Sequence, residues 1–279
     1  MKLGVHMSMF CKNWTDDTTI SLKHVKKIGY DGVEISLFGV EKQSLYHAFD
    51  VAHQLGLVVS CGTGLTPTTD ISSPDAQVRE NGIIYLKEAI DIAHKANARF
   101  INGVLYAPWQ KFMPRQSKNE RWSRSAQCLQ TVGEYARQAD ISLNCEVLNR
   151  FETDFFNTLE EGSRFIKLIG LDNIRLLADT FHMNIEEDNL PKAVSDHFAS
   201  IGCIHVCENH RGVPGTGHIP WEELMAILRQ KNYNGFLTVE SFVETSSAVA
   251  DAMFTWRNIG SSALAEAEKG FHFLSKMRK

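Results

Sequence analysis

Four short strand-like stretches in the second half of the chain each end in a residue that can bind a hard metal ion. They are Ser142–Glu146, Leu176–Asp179, Cys203–His205 and Leu237–Glu240. Three carboxylates and an imidazole have no place at buried strand ends unless they are paired or bind a metal, because buried charge is expensive. If the four strands are neighbours in a parallel barrel, Glu146, Asp179, His205 and Glu240 converge on one point. A set of mostly oxygen donors with one imidazole favours Mn²⁺ or Mg²⁺, with Co²⁺ or Zn²⁺ able to substitute, over a thiolate-rich structural zinc site. A single strand-end acid is more often a helix cap or surface group; four at matching strand ends point to metal binding.

Further polar residues follow these ends closely. Glu152 lies just past Glu146, His182 three positions after Asp179, and Arg211 six after His205. A polyhydroxylated ligand needs directional donors and acceptors around a metal, so these three read as binding groups. Arg150, Glu208 and His210 read instead as solvated loop residues.

These residues need elements to hold them. Strand patterns fall at Leu3–Met9, Gly32–Ser36, Leu57–Cys61, Phe100–Tyr106, Ile141–Val147, Ile174–Asp179, Cys203–Cys207 and Gly235–Glu240. Amphipathic helical patterns lie between them at Asp17–Ile28, Gln43–Leu55, Asp75–Ala96, Lys118–Ala139, Thr158–Ile169, Leu190–Ser200 and Trp221–Gln230, and a last one at Ser261–Met277. Gly29 and Gly56 stand where helices must stop and turn into the next strand. Eight strands, each followed by a helix, is the count of a single-domain (β/α)₈ TIM barrel over residues 1–279. A doubly wound open sheet is the runner-up, but Met7-Ser8-Met9-Phe10 lacks the glycine-rich fingerprint expected after its first strand.

Composition narrows the function. With 279 residues, 43% hydrophobic and 22% charged, the chain is of ordinary globular make-up. A net charge of −4 offers no field for nucleic acid, and the basic stretch Arg115 to Arg124 reads as a solvated helix face. No apolar run approaches membrane-spanning length, and Met1–His6 runs straight into a strand pattern without the apolar segment of a secretory signal. Six scattered cysteines, several inside strand patterns, read as reduced thiols, so a cytoplasmic protein is expected.

Three segments carry a family resemblance. Cys145-Glu146-Val147-Leu148-Asn149-Arg150-Phe151-Glu152, Asp179-Thr180-Phe181-His182-Met183-Asn184 and the looser Pro214-Gly215-Thr216-Gly217-His218-Ile219-Pro220-Trp221 resemble the ketose 3-epimerases. These are the tagatose, psicose (allulose) and ribulose 3-epimerases of the xylose-isomerase-like barrels. The resemblance implies that Glu146, Asp179, His205 and Glu240 bind a divalent metal, usually Mn²⁺, with Glu146 and Glu240 also the acid/base pair. It implies that Glu152, His182 and Arg211 hold the oxygens at carbons one to three of the sugar. His6, Cys61 and Trp109 fall where the family lines its substrate pocket. It further implies a homodimer or homotetramer acting on a small sugar.

The chemistry implied is epimerisation of a free ketose at carbon three through a cis-enediolate. Inversion needs two proton-transfer groups on opposite faces of a planar intermediate, and a metal stabilises the charge that develops. An aldose–ketose isomerase on the same barrel would move hydrogen between carbons one and two instead. A metal-dependent hydrolase of the abasic-site endonuclease type needs extra ligands from strands two to four, whose ends here offer Ser36, Cys61 and Tyr106. A non-catalytic sugar-binding barrel would have no use for opposed carboxylates on a metal.

Overall fold

Every strand pairs in parallel with the next, and the last pairs with the first, so the sheet closes into a barrel in the order β1 to β8. In the computed structural model, which describes residues 1–114, 117–245 and 247–278, the strands are β1 (Lys2–His6), β2 (Gly32–Ser36), β3 (Val58–Leu65) and β4 (Phe100–Pro108), followed by β5 (Ser142–Glu146), β6 (Ile174–Asp179), β7 (Ile201–Val206) and β8 (Phe236–Val239). Closure is carried by Leu3 opposite Leu237 and Val5 opposite Val239. Arg115, which opens the basic stretch, lies outside the described residues.

The helices α1 (Thr19–Ile28), α2 (Lys42–Gln54), α3 (Ala76–Lys95), α4 (Lys118–Gln138) and α5 (Leu159–Ile169) cover the first five strands from outside. They are followed by α6 (Thr180–Glu186), α7 (Leu190–His197), α8 (Trp221–Gln230), α9 (Ala248–Ala252) and α10 (Ala263–Met277). Gly29 ends α1 in the left-handed conformation, at φ 116°, as its position in the sequence suggests. A second glycine has a steric reason: a Cβ on Gly103 would stand 2.1 Å from the Thr63 carbonyl oxygen of the neighbouring strand β3.

Several elements differ from expectation. The first strand stops at His6, where the chain tightens into a 3₁₀ turn over Met7–Phe10. The third runs on to Leu65, with its pairing to β4 shifted after Gly64. Helices α6 and α9 fall in segments read as loops; each is too short to show a periodic apolar face.

The long loop between β5 and α5, which carries Glu152, is built on aromatic packing. Tyr106, Trp122, Phe155, Phe156 and Phe165 form one cluster with ring centroids as close as 4.2 Å. Burying a side chain such as Phe155 contributes roughly 1.5–3 kcal/mol. Polar ties fix the backbone above the cluster: the Trp122 indole N–H donates to the Phe155 carbonyl at 3.0 Å, and Asn157 Nδ2 donates to the Leu148 carbonyl at 2.8 Å. Arg121 grips Asp154 through both carboxylate oxygens at 2.9 and 3.0 Å.

Candidate active site

Glu146 ends β5, Asp179 ends β6, His205 sits near the end of β7 and Glu240 follows β8 directly. Each offers one ligand atom, and the four atoms lie within 4.8 Å of one another. The donor set is three carboxylates and an imidazole, as a hard divalent cation prefers. His205 Nδ1 is buried and has no hydrogen-bond partner, 3.5 Å from Glu240 Oε2. A buried polar atom without a partner is costly, and a cation among these four groups would satisfy it. The residues therefore fit a metal site.

The surrounding groups aim these side chains. Asp179 Oδ1 accepts the Phe181 backbone N–H at 2.8 Å and caps α6, while Oδ2 accepts from Arg211 Nη1 at 3.0 Å. The same Arg211 nitrogen lies 3.3 Å from Glu240 Oε2, and the guanidinium stacks 4.0 Å from the centre of the Phe181 ring. Arg211 adopts φ 64°, a left-handed conformation that costs energy for any residue with a Cβ, in a turn closed by its N–H to the Glu208 carbonyl at 3.0 Å. His182 Nδ1 accepts the Asn149 backbone N–H at 3.2 Å, which turns Nε2 toward Asp179 at 3.6 Å and Glu146 at 3.7 Å. Glu152 accepts from the Trp109 indole at 3.0 Å and from Asn149 Nδ2 at 3.0 Å.

Electrostatics push the two glutamates apart. Burial, and then the facing charge of Glu240, raise the proton affinity of Glu146 well above the ordinary carboxylate value. Burial would raise Glu240 too, but His205, His6 and Arg211 outweigh it and hold Glu240 well below. Burial works against charge on His205, yet Glu34 and Glu240 prevail and raise it. His182 is lowered, chiefly by burial, which favours the neutral ring.

These side chains open into a cavity of about 390 Å³ at the carboxyl-terminal mouth of the barrel. His6, Trp109, Glu146, Glu152, His182, His205, Arg211 and Glu240 all line it. Cys61 does not. Ser60 and Gly62 face the barrel interior with Glu34, so strand alternation turns the intervening Cys61 away, and Gly62 to Leu65 form the wall instead. Glu208 also differs from expectation. It is fully buried and accepts from Gly215 N at 2.7 Å, Ile219 N at 3.1 Å and the Trp221 indole at 2.6 Å, so it shapes the loop rather than meeting solvent. Arg150 is exposed and pairs with Glu186 at 2.9 Å.

Sequence reasoning missed Glu34. Only the end of its strand, Ser36, was weighed, although a glutamate inside the apolar run Gly32-Val33-Glu34-Ile35 is itself a signal, since buried glutamate is rare unless paired.

A sequence model of the xylose isomerase-like TIM barrel family matches residues 22–276. The D-psicose 3-epimerase of Ruminiclostridium cellulolyticum is 32% identical over 267 residues, covering 94% of this chain and 91% of that protein. The chain belongs to the ketose 3-epimerases of this barrel family. As such it is an isomerase-class epimerase. The L-ribulose 3-epimerase of Mesorhizobium japonicum is likewise 32% identical, over 98% of this chain and 93% of its own length. A crystal structure of D-psicose 3-epimerase with D-tagatose, from Clostridium cellulolyticum H10, superposes with a TM-score of 0.93 at 30% identity, covering both chains in full.

Proposed function

We propose that this epimerase inverts carbon three of a free ketose, with Glu146 and Glu240 as the proton-transfer pair. The observation that carries this reading is the placement of the two glutamates: one follows strand five and the other strand eight, and both face the same cavity beside one candidate cation site. The names of the D-psicose and L-ribulose 3-epimerases among its relatives support the choice of carbon.

In this reading one glutamate removes the proton on carbon three, and the other returns a proton to the opposite face. The environments that separate their proton affinities suit such a division of labour. Glu146, Asp179, His205 and Glu240 would hold the cation, for which Mn²⁺ is the first choice. When bound, the cation supplies electrophilic stabilisation of charge developing on neighbouring sugar oxygens. His182 and Arg211 orient oxygens at the reacting end, and Glu152, fixed by Trp109 and Asn149, accepts a hydrogen bond from a sugar hydroxyl there. His6, held at Nδ1 by Ser8 Oγ at 2.5 Å, presents Nε2 3.9 Å from Glu240 Oε1 and reaches the same end of the sugar.

The cavity wall supports an unphosphorylated substrate. Arg211 is the one arginine or lysine among its described lining residues, and it is already engaged by Asp179 and Glu240. The outer wall is formed by Trp14, Phe38, Leu65, Pro67 and Met253, which suits carbon and hydroxyl rather than phosphate. Six unpaired thiols support a reducing cytoplasm, and no helix among the described residues is long and apolar enough to cross a membrane. Exposed Phe151, Phe254 and Trp256 beside one cavity support assembly into a homodimer or homotetramer, which light scattering decides.

The test is conversion of a panel of free ketoses by Mn²⁺-loaded protein. Products inverted at carbon three are expected. Aldose products, or turnover unaffected by chelation, would contradict the proposal.

A further inference from the structure

We propose that Glu34 is a positioning residue that fixes the tautomer and aim of His205 for the cation; the inference rests on the metal reading above. Glu34 projects from the middle of β2 into the barrel, forms part of the cavity lining and is 1% exposed. Its Oε2 stands 3.1 Å from His205 Nε2. An ionised carboxylate only accepts hydrogen bonds, so the imidazole must carry its proton on Nε2. Nδ1 is then the nitrogen left to face a cation, and it lies buried, without a hydrogen-bond partner, 3.5 Å from Glu240 Oε2. A carboxylate behind a ligating histidine sets ring orientation and strengthens the donor.

Glu34 is itself held in place. Asn102 Nδ2 donates to the same Oε2 at 2.6 Å, and Asn144 Nδ2 donates to Asn102 Oδ1 at 2.8 Å. The chain of side chains therefore crosses the barrel from β5 through β4 and β2 to β7. Space is kept clear for it: a Cβ on Gly62 would sit 3.1 Å from both Glu34 Oε1 and His6 Nε2, and one on Gly202 would sit 2.1 Å from Asn144 Oδ1. Stability alone does not explain a charged network here, since apolar residues of similar size commonly replace buried charge without loss. Its geometry is explained by what it does to His205.

The experiment compares wild type, Glu34→Gln and Glu34→Leu. Free Mn²⁺ is titrated into metal-free protein and followed by electron paramagnetic resonance, and melting of the metal-free forms is measured alongside. Loss of such an outer partner lowers metal affinity by about 10–100-fold, and that fall is expected for Glu34→Leu, with Glu34→Gln between it and wild type. In Zn²⁺-loaded wild type, ¹H–¹⁵N spectra should show a slowly exchanging proton on His205 Nε2; it should be lost in Glu34→Leu, a change that a merely structural role would not produce. Wild-type Mn²⁺ affinity in Glu34→Leu would overturn this inference and leave the metal reading intact. If that variant does not fold, unchanged affinity in Glu34→Gln overturns it instead. Wild type that binds no Mn²⁺ would overturn both readings together.

Discussion

Glu146 and Glu240 are chemically the same side chain placed in opposed fields. One is desolvated and faces a like charge; the other is surrounded by His205, His6 and Arg211. That difference allows two identical groups to play different parts in one proton transfer. Replacing Glu240 with Gln keeps its size and removes its ability to take a proton. Turnover should fall by at least the 10²–10⁴-fold typical of a general acid–base group. The melting temperature of the metal-free form should fall, because buried Arg211 and His205 lose the charge that faces them. Steady-state kinetics and calorimetry on the one variant check both halves. The strand-end acids were legible in the sequence because each closes an apolar run. Glu34 was not, because reading strand ends alone overlooks an inward-facing position two residues earlier.

At the scale of elements, the site depends on loops that behave as solid parts. The β5–α5 loop rests on Phe155 and Phe156, and Glu152 reaches the cavity only while that packing holds. Phe155→Ala should destabilise the protein by about 3–5 kcal/mol and raise KM more than it lowers kcat, as urea unfolding and kinetics would show. The start of α5 carries a pH signature. Glu161 accepts the Asn157 N–H at 2.9 Å and pairs with Lys118 at 2.9 Å. Burial would raise this carboxyl, but those partners outweigh it and hold it below its ordinary 4.5. A carboxyl lowered by folding stabilises the folded form above its unfolded value and loses that contribution as pH falls through the folded value. Glu161→Gln should therefore lose less stability than wild type between about pH 5 and pH 3, measured by denaturant titration at each pH. Helix α6 was hidden for a different reason: Asp179 is at once the last residue of β6 and the cap of α6, so strand and helix meet with no turn residues between them.

At the scale of the whole molecule, the closed barrel brings β5 to β8 together so that four separate strand ends become one site. This much could be read in advance from eight apolar runs separated by amphipathic helices. What could not be read is which inward residues touch across the barrel, because contacts such as Glu34 with His205 join positions 171 residues apart. Cys61, which the resemblance put at the cavity wall, faces away from it because successive residues of a strand point to opposite faces. A ligand that binds only the folded barrel stabilises it by about 2.7 kcal/mol at one hundred times its dissociation constant. Mn²⁺ should thus raise the melting temperature, chelation should reverse the rise, and Asp179→Asn should remove most of it. The reaction itself is read most directly from where solvent hydrogen enters the sugar. With Mn²⁺-loaded protein in heavy water, NMR of a converted free ketose should show deuterium at carbon three of the product. Deuterium at carbon one, or inversion without any label from solvent, would contradict the account.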